Sequence, residues 1–201
     1  MPIKLIACDL DDTLLREDLS ISSRNREALA QAAARGIRIV LASGRNIHSM
    51  GRYARELGLE GPGEYMICTN GAEILETATG RRIHESRIEG GLCLEIVAAI
   101  EERGLPWQVY EDGYIWVSAP NPWAELDQRL TGQVVRPIAP EERQAFLARG
   151  QVKFVVPALP ERIAEVLPEL QAHFAGRAEV LISKPYFLEV LPLGVDKGEA
   201  L

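Results

Sequence analysis

The 201-residue sequence is short of the features that mark secreted, membrane-bound or nucleic-acid-binding chains. It has three cysteines, Cys8, Cys68 and Cys93, an odd number set far apart in apolar runs. Neither a disulfide framework nor a metal-ligating spacing can be built from them, so they read as buried thiols in a reducing compartment. The three histidines, His48, His84 and His173, are scattered and show no ligand spacing. No apolar run approaches the length that spans a bilayer, and the opening residues carry no secretory pattern. Basic residues are outnumbered: 22 Lys and Arg against 29 Asp and Glu leave a net charge of −7. That balance argues against nucleic-acid and membrane-surface partners, both of which favour a basic face. The expectation is a cytoplasmic protein in which any anionic substrate is met by local positive charge or a bound cation.

What is present is ordinary in bulk and unusual in detail. With 47% hydrophobic and 25% charged residues, the chain can bury a proper core. The first third alternates strand and helix. Residues 3–8 read as a strand, 22–35 as a helix stopped by Gly36, 37–42 as a continuous apolar strand, 46–57 as a helix closed by Gly58, and 65–68 as a short strand. That order implies right-handed crossovers and a parallel sheet.

After about residue 80 the pattern changes. A strand over 81–88 and a helix over 92–103 precede two strands, 107–111 and 114–117, around the hairpin signal Asp112-Gly113. Strand, helix, strand and strand recur at 152–156, 161–174, 179–182 and 187–191, after a proline-flanked segment with Pro120, Pro122, Pro137 and Pro140. This implies an α+β domain with one antiparallel sheet. Residues 194–201 resemble the start of a helix.

The chemistry concentrates at strand ends, where open α/β sheets place their ligands. Asp9 and Asp11 follow the first strand within Asp9-Leu10-Asp11-Asp12-Thr13-Leu14-Leu15. One carboxylate can attack phosphorus, a second can move protons, and both suit magnesium, which takes one or two carboxylates with waters and a phosphate oxygen. A polar turn after a strand is the plain alternative. Leu41-Ala42-Ser43-Gly44-Arg45 leaves the second strand for a helix. There Ser43 offers a hydroxyl, Gly44 allows close approach, and the helix start offers free N–H groups; a serine helix cap explains the same residues. Thr69-Asn70-Gly71-Ala72 ends the third strand and also reads as an ordinary turn. Lys197 lies in Gly194-Val195-Asp196-Lys197-Gly198, where a solvated surface lysine is the simple reading.

Taken together, these four segments resemble the haloacid dehalogenase superfamily of phosphohydrolases, in its Cof-type branch. The resemblance covers the whole chain. It implies a parallel Rossmann-like core (residues 1–80 and 192–201) with an inserted α+β cap (81–191) that selects the substrate. It also implies Asp9 as nucleophile and Asp11 as general acid/base, with magnesium held by Asp9 and the main-chain carbonyl of Asp11. Leu10, Asp12, Ser43, Gly44 and Lys197 would hold the phosphoryl group, and Arg45 and Asn70 would lie on the substrate side. The expected substrate is a small phosphorylated metabolite. Trp107, Tyr110, Tyr114, Trp116, Trp123, Lys184 and Tyr186 could line a cap pocket, although for most of the aromatics core packing or hairpin pairing is the better explanation.

One departure stands out. The family's fourth motif, a glycine-and-aspartate loop with further magnesium ligands, does not follow Lys197 before the sequence ends at Leu201. The expectation is a core incomplete on its C-terminal side, weak or no activity from these residues alone, and an exposed sheet edge that invites self-association. A non-catalytic binding or assembly module and a phosphomutase are the alternative functions. A phospho-receiver domain fits poorly with so large an insertion.

Overall fold

A computed structural model describes residues 2–201, which form two compact units. The first comprises residues up to Glu85 together with Asp196–Leu201, and the second is Ser86–Val195. In the first unit, β1 (Leu5–Cys8), β2 (Arg38–Ala42) and β3 (Tyr65–Cys68) pair in parallel. They are linked by α1 (Ser23–Ala34) and α2 (Ile47–Glu56). The sheet then continues antiparallel through β4 (Glu73–Glu76) and β5 (Arg82–Glu85), in the order β1-β2-β3-β4-β5.

The sheet is therefore mixed, not wholly parallel as the alternation suggested. β4 is too short and too polar to stand out in the sequence. The sequence places residues 82–85 in the inserted domain; the hydrogen bonds of β5 tie it to β4 instead.

One face of this sheet carries most of its core. Met50, Tyr53 and Ala54 of α2 lie on a single helical face and pack with Leu10, Leu14, Ile39, Leu41, Met66, Cys68 and Leu75. Among the described residues, the cluster on the other face is small: Val40, Ala42 and Ile67, with Ile74 and Ala200 against them. β1 lies at the sheet edge, where Leu5 is 41% exposed. Consequently Cys8 is only partly buried, whereas Cys68 and Cys93 are sealed, so the expectation of three buried thiols holds for two. Burial pushes the Cys93 thiol up to about 11 and raises the Cys68 thiol further.

The second unit is built on a six-stranded sheet. Its elements are α3 (Gly90–Glu102), β6 (Gln108–Glu111), β7 (Tyr114–Val117), α4 (Pro122–Thr131), β8 (Val134–Pro137), α5 (Pro140–Leu147), β9 (Phe154–Pro157), α6 (Pro160–His173), β10 (Ala178–Lys184) and β11 (Phe187–Pro192). The order is β10-β11-β9-β6-β7-β8, antiparallel except for the parallel β7–β8 pair, which corrects the expectation of a purely antiparallel sheet. Asp112 and Gly113 both take positive φ, as the tight β6–β7 hairpin requires.

The proline-flanked segment, to which the sequence assigns no elements, forms α4, β8 and α5. Pro122 and Pro140 open the helices α4 and α5, where a missing N–H costs nothing. Cys93, Ile96 and Ile100 of α3, Phe146 and Leu147 of α5, and Ile163, Val166 and Leu170 of α6 pack with Trp107, Phe154 and Leu188 in one large core. At Gly90 any Cβ would collide with the carbonyl of Ala148, so glycine is required where α3 meets the end of α5. Among the described residues no helix is long and apolar enough to cross a membrane.

The opposite face of that sheet carries α4 and a polar row. Glu189 and Gln108 both stand opposite Val155, so they share this face. Lys153 Nζ lies 3.0 Å from Glu189 Oε1, with both side chains 6% exposed. Asp127 of α4 accepts hydrogen bonds from the Tyr110 hydroxyl and from Gln108 Nε2. Burial raises the Asp127 carboxyl above its ordinary value near 3.8, although both hydrogen bonds and Lys153 pull the other way.

Because folding favours protonated Asp127, its stabilising contribution is complete below the unfolded pKa and is lost as pH rises through the raised folded value. The Asp127→Asn variant should therefore gain thermal stability relative to wild type as pH increases from about 4 to about 8. Melting temperatures of the two proteins across that range test this; a pH-independent difference contradicts it.

Candidate active site

The end of β1 sets the site. Asp9 continues the extended chain (φ −72°, ψ 157°), and its Oδ1 accepts from the Leu10 N–H at 2.7 Å. Residues 10–14 then form one wide turn, closed by the Leu15 N–H on the Leu10 carbonyl at 2.9 Å. Leu10 is fully buried and Leu14 nearly so, which pins the turn into the first unit's core and leaves Asp9, Asp11 and Asp12 outward of it. Asp12 is exposed and takes a left-handed φ of 57°, a conformation in which aspartate is tolerated.

The parallel β1–β2 pair brings the next segment alongside. Arg45 grips Asp11 with both arms: Nε to Oδ2 and one terminal nitrogen to Oδ1, each 2.8 Å. Its guanidinium lies 5.7 Å from the centre of the buried Tyr53 ring, and its side chain is 8% exposed. A two-toothed arginine–carboxylate pair of this kind fixes orientation as well as distance. Thus Arg45, expected on the substrate side, has its guanidinium on Asp11.

Ser43 is buried, and its Oγ accepts from the Arg45 N–H at 3.2 Å. It does not cap α2. Asn46 does, accepting from the Ser49 N–H at 3.1 Å, so the helix starts three residues later than a Ser43 cap would place it. The serine-cap reading is removed, and the free N–H groups of the α2 start belong to the residues after Asn46.

The third strand ends in a tight turn. Thr69, Asn70 and Gly71 take φ of 51°, 58° and 103°, three left-handed residues in succession. For a β-branched threonine this is strained, at roughly 1–3 kcal/mol. The turn is held by its neighbours. The Thr69 N–H donates to the Arg45 carbonyl at 2.8 Å, and the Asn70 N–H to the Ser43 carbonyl at 3.0 Å. The Thr69 hydroxyl donates to the buried Glu73 at 2.9 Å. A Cβ at Gly44 would lie 2.8 Å from Asn70 Oδ1, so any side chain there would push the Asn70 amide aside.

The C-terminal turn completes the constellation. Asp196 Oδ1 accepts from the Gly198 N–H at 2.6 Å and the Glu199 N–H at 3.3 Å, which shapes the turn. The turn presents Lys197, whose Nζ lies 2.8 Å from Asp9 Oδ2 across 188 positions of sequence. Both side chains are about one-third exposed, at 35% and 39%, so they are open to a ligand.

Asp9, Asp11, Ser43, Gly44, Arg45, Asn70 and Lys197 are thus brought to one end of one sheet. His48, His84 and His173 take no part in these contacts. Sequence reading missed Glu73, a buried carboxylate next to an exposed-looking Asn-Gly turn, and the Arg45–Asp11 pairing. Glu73-Ile74-Leu75-Glu76 has no apolar/polar alternation, so no periodicity flags a strand here.

Among the described residues no group of three or more His, Cys, Asp or Glu side chains could hold a metal ion. The donors at the site are the Asp9 and Asp11 carboxylates and nearby carbonyls. Hard oxygen donors of that number fit magnesium, which keeps several waters and takes its remaining ligand from phosphate. They do not form a closed cage.

Gly71 joins the strained turn to the C-terminal one. A Cβ there would lie 2.6 Å from the Asp196 carbonyl, at a φ of 103° that L-residues avoid. Gly71→Ala should cost about 1–3 kcal/mol of stability and displace Lys197 from Asp9. Chemical denaturation and the Asp9–Lys197 distance in a crystal structure of the variant check both effects.

A family model described as haloacid dehalogenase-like hydrolase matches residues 6–201. The HMP-PP phosphatase of Serratia proteamaculans is 27% identical over 204 residues, covering 98% of this chain and 70% of that protein. A haloacid dehalogenase-like hydrolase from Bacteroides thetaiotaomicron superposes with a TM-score of 0.89 at 28% identity, over 99% of this chain and 74% of that one. A sugar phosphatase of subclass IIB in the same superfamily matches with a TM-score of 0.76 at 25% identity, over 98% of this chain and 73% of that one. With nearly its whole length matched by the family model, the chain belongs to the haloacid dehalogenase-like hydrolases and is one of their phosphoric monoester hydrolases.

Proposed function

We propose that the protein hydrolyses small phosphorylated metabolites through an aspartyl-phosphate on Asp9. The observation that carries the reading is the Lys197–Asp9 contact at 2.8 Å, which sets a cation beside a carboxylate at a strand end. An Asp9 oxygen attacks phosphorus, the ester oxygen leaves, and Asp11 supplies the proton that oxygen needs. Water then attacks the same phosphorus and gives its proton to Asp11. Phosphate is released, Asp9 is a free carboxylate again, and Asp11, which enters the cycle in its acid form, again carries the proton it gave. Lys197, Ser43 and the main-chain N–H groups of the Leu10–Asp12 turn neutralise the charge spread over the phosphoryl oxygens, the principal demand of this reaction. Arg45 fixes the orientation of Asp11. Magnesium, held by the Asp9 carboxylate and the Asp11 carbonyl, would add positive charge where the phosphoryl oxygens gather it.

The second unit, Ser86–Val195, is in this reading the cap that chooses the substrate. Free thiols at Cys8, Cys68 and Cys93 suit the reducing cytoplasm. We further propose that turnover is slow, because a magnesium ion at two carboxylate-bearing residues would keep most of its ligands as water and be held loosely. The exposed edge of β1 favours a second reading, a binding or assembly module.

Phosphate release from p-nitrophenyl phosphate separates the two. The expected result is slow, magnesium-dependent release that Asp9→Asn reduces by at least about a hundredfold, since an amide is not a competent nucleophile here. Equal release by wild type and Asp9→Asn overturns the catalytic reading, and fast release by wild type overturns the expectation of slow turnover.

A further inference from the structure

We propose that Glu73 and Thr69 are positioning residues for Arg45 and, through Arg45, for Asp11. The inference rests on reading Asp11 as the group that moves protons, and it adds two residues that lie outside the reacting site.

Glu73 opens β4, directly opposite Cys68 on β3 and Glu85 on β5. Its side chain is 4% exposed, yet both oxygens are engaged. Oε1 lies 3.1 Å from Arg82 Nε, and Oε2 accepts the Thr69 hydroxyl at 2.9 Å. A buried carboxylate held on both oxygens is a fixed anchor, since releasing either bond leaves an uncompensated group away from water. Thr69 in turn is 1% exposed and takes a backbone conformation that threonine avoids. Such a residue persists only where its surroundings over-determine it. Here two bonds do so: the hydroxyl is tied to Glu73, and the N–H is tied to the Arg45 carbonyl at 2.8 Å.

Arg45 is the receiving end of this brace. Its carbonyl takes the Thr69 N–H, its own N–H rests on Ser43 Oγ, and its guanidinium closes on both oxygens of Asp11. The result is a continuous series, Glu73 to Thr69 to Arg45 to Asp11, from β4 to the end of β1. Thr69 and Glu73 are both buried, so the strain of the turn is kept to aim a side chain rather than to expose one.

The test reads Arg45 directly. In uniformly nitrogen-15-labelled protein, the Nε–H of Arg45, assigned by its loss in Arg45→Lys, reports the Asp11 pairing through its exchange with water. Arg103, whose Nε–H pairs with Glu169 in the other unit, is the internal reference. Thr69→Val keeps the branched shape and removes the hydroxyl. It should speed Arg45 Nε–H exchange about tenfold and leave Arg103 unchanged. With p-nitrophenyl phosphate, kcat should fall about tenfold with KM within about twofold of wild type. Thr69→Ser, which restores the hydroxyl, should recover both.

A folded Thr69→Val whose Arg45 exchange equals wild type, or in which Arg103 accelerates equally, overturns the proposal. If Thr69→Val does not fold, Glu73→Gln is read on the same signal: faster exchange at Arg45 alone supports the brace, and unchanged exchange overturns it. If wild type shows no Asp9-dependent phosphate release, the catalytic reading fails, and the exchange measurement still decides whether Thr69 and Glu73 hold Arg45 on Asp11.

Discussion

Two carboxylates emerging together from the end of one strand repel each other, and a cation set beside each offsets that repulsion. The first unit answers this with one cation for each. Lys197 meets Asp9 across 188 positions, and Arg45 meets Asp11 across 34. The parallel pairing of β1 and β2 is what makes the second meeting possible, because it sets the carboxyl ends of both strands side by side. Asp9 and Asp11 remain 39% and 27% exposed in these pairs. Pairs of that exposure contribute little to stability. Their consequence is placement: Asp11 is fixed in orientation by a rigid fork, and Asp9 is met by a single compact charge on a flexible stem.

That difference bears on chemistry. A nucleophile must be reached by a phosphoryl group, and a lysine can swing to that group while remaining near the carboxylate. A proton-transfer group needs constant direction, which a guanidinium resting against the Tyr53 ring and tied through its own main chain can supply. The left-handed turn at residues 69–71 belongs to the same logic. Its two main-chain bonds land on the carbonyls of Ser43 and Arg45, so a strained segment of β3's end sets the shape of the loop after β2.

Much of this was legible in the sequence because it is local. Apolar runs followed by Asp-Leu-Asp, Ser-Gly-Arg and Thr-Asn-Gly marked strand ends, and glycine after helical spacing marked helix stops. What was not legible depends on partners far away in sequence. Pro122 and Pro140 read only as flanks of a segment between two similar units of the inserted domain; that each opens a helix is decided only when the following helix finds a sheet to cover. Residues 82–85 gave a strand signal but not the sheet it joins, because an exposed four-residue strand has no hydrophobic face to declare its side. Asn46 and Ser43 are both good helix caps, and only the observed bond to Ser49 separates them. The grip of Arg45 on Asp11 leaves no periodicity to read.

The unequal faces of the first sheet also divide the site. Asp9 and Asp11 hang from a turn whose Leu10 and Leu14 are sunk in the larger cluster with Met50 and Tyr53. Arg45 leads into α2, which contributes to that same cluster. Lys197 instead rides on the turn at Asp196–Ala200, and Ala200 packs on the thin face against Val40, Ala42 and Ile67. Its register there depends on one close approach, the Asp196 carbonyl over Gly71. The carboxylates and Arg45 are therefore built into the best-packed part of the unit, while the charge facing the nucleophile is mounted on its least-packed part. Lys197 is thus the member of the constellation with the fewest packed neighbours beneath it among the described residues, and the thin face is where a change in packing alters the field at Asp9 without touching the carboxylate itself.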